Sequence, residues 1–520
     1  MKRIILLVGI MALFFSSCQK DSLDLTNPNE PTFEALKTEP GMLRLGLGIY
    51  APMRENYYWW ITWGQHQAMG DVVAISAGNF GWRWTNQTTE IIDPDGNSFK
   101  PTTGGTQTEA LRSFNSRLQG DNNAMRYEWE TMYLVNAQAN TILSRVDGAS
   151  YSGNADVKKK ALKVWAYWWK GYAYSKIGAM YPEGVIVDEV GTTNNNYVSN
   201  TAILAEAKKN FDLAKELLNG ISEDDADFAT VMAYLIPKYV QAGKGGVFTP
   251  KMIERNINSF LARNILISKY AKDLTDGDLD QIKTLAENGI SESDFVFTVR
   301  SALTNDLVYE DAWSPSRINY GWENVSERLV QDFRPGDNRM ARNVIKLEGD
   351  DVIINPRGRG YQYGTTYTFV DGGDYVSTTA GQAEIIMSSC FEENQLMLAE
   401  VYIRKGEIEK GVGYIDAVRT YQNAQLPALV GKGLTKDQAL EELRSERRVG
   451  LIQKGPVCFY DARRWGVIKP LSQGGGRQNA NVVFNGGVVK PCTINYNYME
   501  YFDVPANETD FNPIITNTPN

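Results

Sequence analysis

Histidine is almost absent from this chain: His66 is the only one in 520 residues. A Ser-His-Asp triad therefore has a single candidate base, and a metal site built on several histidines cannot be assembled. His66 lies in an aromatic stretch of helical spacing, which predicts a hydrogen-bonded structural role. Cysteine is scarce too, limited to Cys18, Cys390, Cys458 and Cys492. With Cys18 set aside, three thiols remain. They cannot all pair within the chain, so disulfides are not the basis of stability, although one pair stays open. Gly474–Gly476 and the Gly358/Gly360 pair lack the lysine and flanking pattern of a phosphate cradle. The formal charge of -9 lacks the clustered cations that nucleic acid requires. Asp276, Asp278 and Asp280 alternate as in a calcium loop, but no glutamate follows at the required spacing, which predicts a solvated turn. No metal or cofactor is expected. Beyond the N-terminus no apolar run approaches the roughly 20 residues of a membrane-spanning helix. The remaining length is ample for a large core.

The N-terminus carries the clearest local signal. Lys2 and Arg3 precede an apolar run from Ile4 to Phe15, followed by Ser16, Ser17 and Cys18. A basic start, a short apolar stretch and small residues describe a secretory signal. The cysteine directly after them resembles the bacterial lipoprotein signal, in which that thiol is acylated; Phe15 is bulkier than usual three places before it. Residues 1–17 are expected to be a signal peptide, with Cys18 as the lipid anchor. Residues 18–32, with Asn27, Pro28 and Pro31, offer little to bury and read as a flexible tether. Residues 33–520 are expected to form one domain, with an N-terminal part 33–290 and a C-terminal part 291–520.

Helical periodicity dominates that domain. Ala161, Val164, Trp165, Trp168, Tyr172 and Ala173 recur at three and four between Lys158 and Met180. Leu204 to Leu218 repeats the pattern through Ala207, Phe211 and Ala214, and Met252 to Ala271 through Ile253, Ile257, Phe260 and Leu261. Between Gln395 and Val418, Ala399, Gly406, Gly411 and Ala417 would let two antiparallel helices approach, with Tyr402 and Tyr414 between them. That pair resembles a tetratricopeptide unit. The fold class read from these segments is mainly α, a helical scaffold of about four tetratricopeptide-like helix pairs with long loops and a few short strands. Residues 77–107, 301–342 and 348–381 lack periodicity, and long loops in a compact domain are usually functional.

Tyrosine and tryptophan number 27 and 12. Each has a flat apolar face and a polar edge, the combination that packs on a sugar ring while Asn, Asp, Gln and Arg meet its hydroxyl groups. Trp82, Arg83 and Trp84, with Asn86 and Gln87 close by, are the first candidate ligand loop. If that loop is extended, alternate residues face opposite sides. Tyr309, Trp313, Asn319, Tyr320 and Trp322 are the second. Trp59, Trp60 and Trp63, and likewise Trp165, Trp168 and Trp169, fall at helical spacing and are expected in the core.

At the C-terminus, Thr435 and Gln438 form a capping box ahead of Glu446, Arg447 and Arg448. Phe459, Tyr460, Asp461, Arg463, Arg464 and Trp465 follow, and the tail has Pro505, Glu508, Asn512 and Pro513. This set resembles the SusD/RagB family of Bacteroidetes outer-membrane lipoproteins, as do Tyr133, Ala139 and Asn140 and the Tyr172–Pro182 helix end. The chain departs from the family pattern at Gly450 and Lys454, where glutamate is usual, and in the turn at Pro456. The resemblance implies a cell-surface protein that is not an enzyme. It would be held in the outer membrane through Cys18 and would capture oligosaccharide for a SusC-like TonB-dependent transporter. Peptide cargo is the alternative within the family, and a surface glycoside hydrolase is the rival from another class. The Arg-Arg-Trp block itself reads as structural, its arginines bridging carboxylates.

Overall fold

The computed structural model describes residues 34–55, 58–76, 78–300, 323–355, 364–376 and 384–514. The leader, Cys18 and the tether lie outside them. The principal helices in chain order are α1 (Tyr58–Met69), α2 (Trp82–Thr85), α3 (Arg126–Arg145), α4 (Ala155–Met180), α5 (Asn200–Leu218), α6 (Pro250–Ile267), α7 (Asp276–Glu287), α8 (Phe391–Arg404), α9 (Ile408–Tyr421), α10 (Lys436–Gly450) and α11 (Val457–Arg464). The architecture is mainly α, as the periodicity predicts. Among the described residues no helix is long and apolar enough to cross a membrane.

The helices start where their caps dictate. Asn154 accepts a hydrogen bond from the Val157 N–H and opens α4. Pro250 takes the first position of α6 after the Thr249 cap, where its missing N–H costs nothing. Thr435 and Gln438 form the expected capping box of α10. Asp276, Asp278 and Asp280 form the first turns of α7, with Thr275 and Asp278 in a second such box. The solvated turn expected there is therefore a capped helix start.

The main core gathers around α4. Trp165, Trp168, Trp169 and Tyr172 are all buried. Trp168 meets Trp169 edge-on at 5.0 Å and stacks on Phe297 at 3.9 Å. Helices α3 and α5 flank this stripe. Helices α8 and α9 form the antiparallel pair read from the sequence, with Tyr402 and Tyr414 stacked at 5.6 Å and 12°.

Short strands fasten segments that are distant in sequence. β1 (Val73–Ile75) pairs antiparallel with β7 (Glu323–Val325). β2 (Glu90–Ile92) and β3 (Ser98–Phe99) join the hairpin of β11 (Arg477–Phe484) and β12 (Val488–Asn495) in a four-stranded antiparallel sheet of order β11-β12-β2-β3. β4 (Glu183–Val185) pairs with β5 (Tyr197–Ser199), β6 (Thr298–Arg300) with β10 (Glu384–Ile386), and β8 (Val344–Lys346) with β9 (Tyr367–Phe369). The stretch 77–107, read as a long loop, is thus tied through β2 to β12, about 400 residues away.

Candidate functional site

The first aromatic loop departs from its expected shape. Phe80 and Gly81 take φ of 57° and 71°, turning the chain sharply into the single helical turn α2. A turn places neighbours around an axis instead of on alternate sides, and Trp82 rotates inward. Its ring is fully buried with Ile61, Val72, Tyr127 and Val325, and its indole N–H donates to the Ile61 carbonyl at 3.1 Å. Asn86 is fully buried as well. Trp82 and Asn86, expected to meet ligand, are interior residues in this structure. Arg83 and Trp84 stay half-buried at the surface. The Arg83 guanidinium lies 4.6 Å from the Trp84 ring centre and donates to the Thr103 hydroxyl at 3.1 Å. Trp84 stacks on Phe114 at 5.6 Å and 21°. Tyr309, Trp313, Asn319, Tyr320 and Trp322 lie outside the described residues.

The β1–β7 ladder pairs the strand just before the first candidate loop with the strand just after the second. Ile75 pairs with Glu323, so the chain leaves for the first loop beside the point where it returns from the second. Glu323 is buried, and neither of its carboxyl oxygens has a hydrogen-bond partner among the described residues. Burial pushes this carboxyl well above the usual range. Nothing in the sequence around Glu323 signals that environment.

Immediately before β1, Asp71 is a junction. Its carboxylate accepts from the Arg328 guanidinium at 2.7 and 3.0 Å, from the Ser326 hydroxyl at 2.8 Å and from the Tyr496 hydroxyl at 2.6 Å. Burial would raise this carboxyl, and Arg328 overrides it, holding Asp71 far below the usual range. Arg448 donates to the Gly70 and Asp71 carbonyls at 2.7 and 2.9 Å. Arg448 and Arg477 both reach Asp332 beside a cavity of about 350 Å³ that also exposes Trp465.

The other arginines of the C-terminal block bind carboxylates and carbonyls, as their structural reading requires. Arg464 donates to Glu400 at 2.7 and 2.8 Å and to Asp461 at 2.6 Å. Arg447 donates to Asp461 at 2.7 Å, and Arg463 to the Ala179 carbonyl at 2.6 Å. The tail docks through Asn512, which donates to Glu508 at 2.8 Å and accepts from the Tyr197 hydroxyl at 2.8 Å.

His66 is buried with its Nε2 2.9 Å from Glu128, which matches the structural role expected of it. Burial pushes the imidazole down against the pull of Glu128. The neighbouring Lys176 is buried too and is pushed down to about 8. Cys390, Cys458 and Cys492 are free, buried thiols. Among the described residues no group of three or more His, Cys, Asp or Glu side chains could hold a metal ion.

Solved structures resemble this architecture over almost the whole chain. A Bacteroides vulgatus protein to which sugar binding has been ascribed matches with a TM-score of 0.59 at 18% identity, covering 92% of this chain and 97% of that one. A SusD-like carbohydrate-binding protein of Bacteroides fragilis matches at 0.57 and 14% identity, covering 92% and 99%. The fold is SusD-like. A SusD superfamily protein of Bacteroides vulgatus agrees, at 0.56 and 16% identity, covering 92% and 98%. No protein-family model matches the sequence, and neither does a curated relative. At such identities the shared property is the SusD-like fold.

Proposed function

We propose that the protein is a SusD/RagB-type surface lipoprotein that captures oligosaccharide and delivers it to a TonB-dependent outer-membrane transporter. In this reading Cys18 carries the lipid anchor, residues 18–32 are the tether and residues 33–520 form one domain. The observation that carries the proposal is the SusD-like fold over 92% of the chain, shared with proteins described as sugar- or carbohydrate-binding. The β1–β7 ladder supports it by holding the residues just before the first candidate loop beside those that follow the second. The ligand-facing residues are Arg83 and Trp84 together with Tyr309, Trp313, Asn319, Tyr320 and Trp322. Aromatic faces would stack on sugar rings without any bond being broken.

The test is direct. The purified protein is applied to an array of oligosaccharides, with peptides alongside, and bound glycans are checked for cleavage. Saturable glycan binding without turnover is expected, weakened about tenfold or more, a change of 1.4 kcal/mol, by Trp313→Ala or Trp322→Ala. Binding to peptides alone, or hydrolysis of the glycan, overturns the reading. Co-purification of the membrane-extracted protein with a large outer-membrane transporter tests the partnership.

A further inference from the structure

Between the C-terminal end of α9 and the turn that follows α10 lies a cleft of about 510 Å³, lined by residues outside both candidate loops. Gln453 lines it. This side chain is only 3% exposed, and neither atom of its amide has a hydrogen-bond partner among the described residues. Its backbone holds φ of 60°, in the left-handed region that residues other than glycine rarely adopt. A buried amide with both donor and acceptor unused is unfavourable unless something supplies the complementary groups. Backbone held in such a region is typical of ligand clamps.

The walls narrow the chemistry. Tyr421 presents a half-buried ring, touched by the edge of Phe391 at 4.9 Å and by the Lys244 ammonium at 5.2 Å. The charges pair off across the wall. Lys454 meets Glu392 at 3.0 Å, Arg342 meets Asp374 at 2.7 Å, and Glu384 accepts from the Lys244 backbone N–H at 2.8 Å. An anionic ligand would have to draw the Lys244 ammonium from the Glu292 carbonyl, to which it donates at 3.2 Å, or break one of the two ion pairs, whereas a neutral one bearing hydroxyl groups needs only the free amide and the ring. A hydroxyl donates and accepts at one atom, which is what an unpaired amide requires.

The cleft also falls where the chain departs from the C-terminal pattern it resembles. Lys454 stands in place of a usual glutamate, and here a glutamate would face Glu392 and Glu384. At Gly450 a Cβ would come within 3.0 Å of the Glu446 carboxylate, and Gln422 donates to the Gly450 carbonyl at 2.8 Å.

We infer that this cleft is an additional carbohydrate subsite, taking a neutral sugar ring against Tyr421 with Gln453 hydrogen-bonded to its hydroxyl groups. The inference rests on the glycan-binding reading but concerns residues outside the loops named there. Maltohexaose, xylohexaose, mannohexaose and trigalacturonic acid are titrated calorimetrically into the wild type, Gln453→Ala and Tyr421→Ala. Hydrogen exchange of residues 450–456 is followed in the wild type with each sugar. At least one neutral hexasaccharide is expected to bind more tightly than the acidic trimer. Each variant should weaken it about tenfold, and the bound sugar should slow exchange at 450–456. Unchanged affinity in both variants, with no protection of that turn, overturns the subsite and leaves the broader reading standing. Failure of the wild type to bind any glycan overturns both. Should either variant melt well below the wild type, the exchange measurement on the unaltered protein decides.

Discussion

Glu323 is the residue whose environment most contradicts its chemistry. It sits in β7, buried, with no hydrogen-bond partner among the described residues and a carboxyl raised well above the usual range by burial alone. A group whose folded value is raised favours the folded state below its unfolded value, about 4.3, and that advantage is lost as the pH rises toward the folded value. Glu323→Gln removes the titration and keeps the shape. Urea unfolding should show the variant level with the wild type near pH 4. It should then gain on the wild type by roughly 1.4 kcal/mol per pH unit above that, until the folded value is passed. A constant difference across that range would show that Glu323 does not titrate as its burial implies. His66 was legible from its solitude in an aromatic helical stretch. Glu323 was not, because its burial comes from a strand partner some 250 residues away. Trp82 misled for a related reason: Gln, Asn and Gly around it describe a surface loop, while the left-handed Phe80–Gly81 pair winds the loop into a turn that faces the core.

At the scale of elements, the α8–α9 pair was read almost in full, since all its determinants are local. The small residues divide the work between them. Gly406 has φ of 88° and nothing within 4 Å of a would-be Cβ, so it serves the turn. Gly411 serves contact: a Cβ there would lie 2.5 Å from the Ile403 side chain and 2.9 Å from the Ile403 backbone nitrogen. Gly413, on the same helix, would place its Cβ at an ordinary 3.6 Å from Val430. Gly411→Ala is therefore expected to destabilise by roughly 1–3 kcal/mol through overpacking. Gly413→Ala should stabilise by up to about 1 kcal/mol, because alanine favours the helix. Thermal unfolding of the two variants checks this, and equal shifts of the same sign would refute the close approach. The β1–β7 and β2–β12 ties escaped sequence reading because strands as short as β1, β2 and β7 carry too little alternation to stand out. Their partners are also hundreds of positions away, so the stretch 77–107 read as loop although β2 and β3 lie within it.

Across the molecule, segments far apart in sequence are joined at Asp71. Its carboxylate joins Arg328 and Ser326, just after β7, to Tyr496, just after β12, and its backbone carbonyl takes Arg448 from α10. Four segments distant in sequence, Asp71's own included, meet at this residue beside the β1–β7 ladder. A buried pair of this kind need not outweigh the cost of desolvating both charges, but removing one partner strands the other. Arg328→Met should therefore cost about 3–5 kcal/mol near neutral pH. A carboxyl held below its ordinary value stabilises the fold above its unfolded value, and that contribution is lost as the pH falls through the folded one. The gap between wild type and Arg328→Met should accordingly narrow as the pH drops below about 4. Asp71→Asn combined with Arg328→Met removes the stranded charge while keeping an amide for Ser326 and Tyr496, and should recover more than half of the loss. Chemical unfolding of the three proteins at pH 7 and pH 3 measures both effects. If the double variant proves as unstable as the single one at pH 7, the junction acts through packing and not through charge. The β1–β7 ladder beside it would then depend on the shape of the Asp71 side chain and not on its charge.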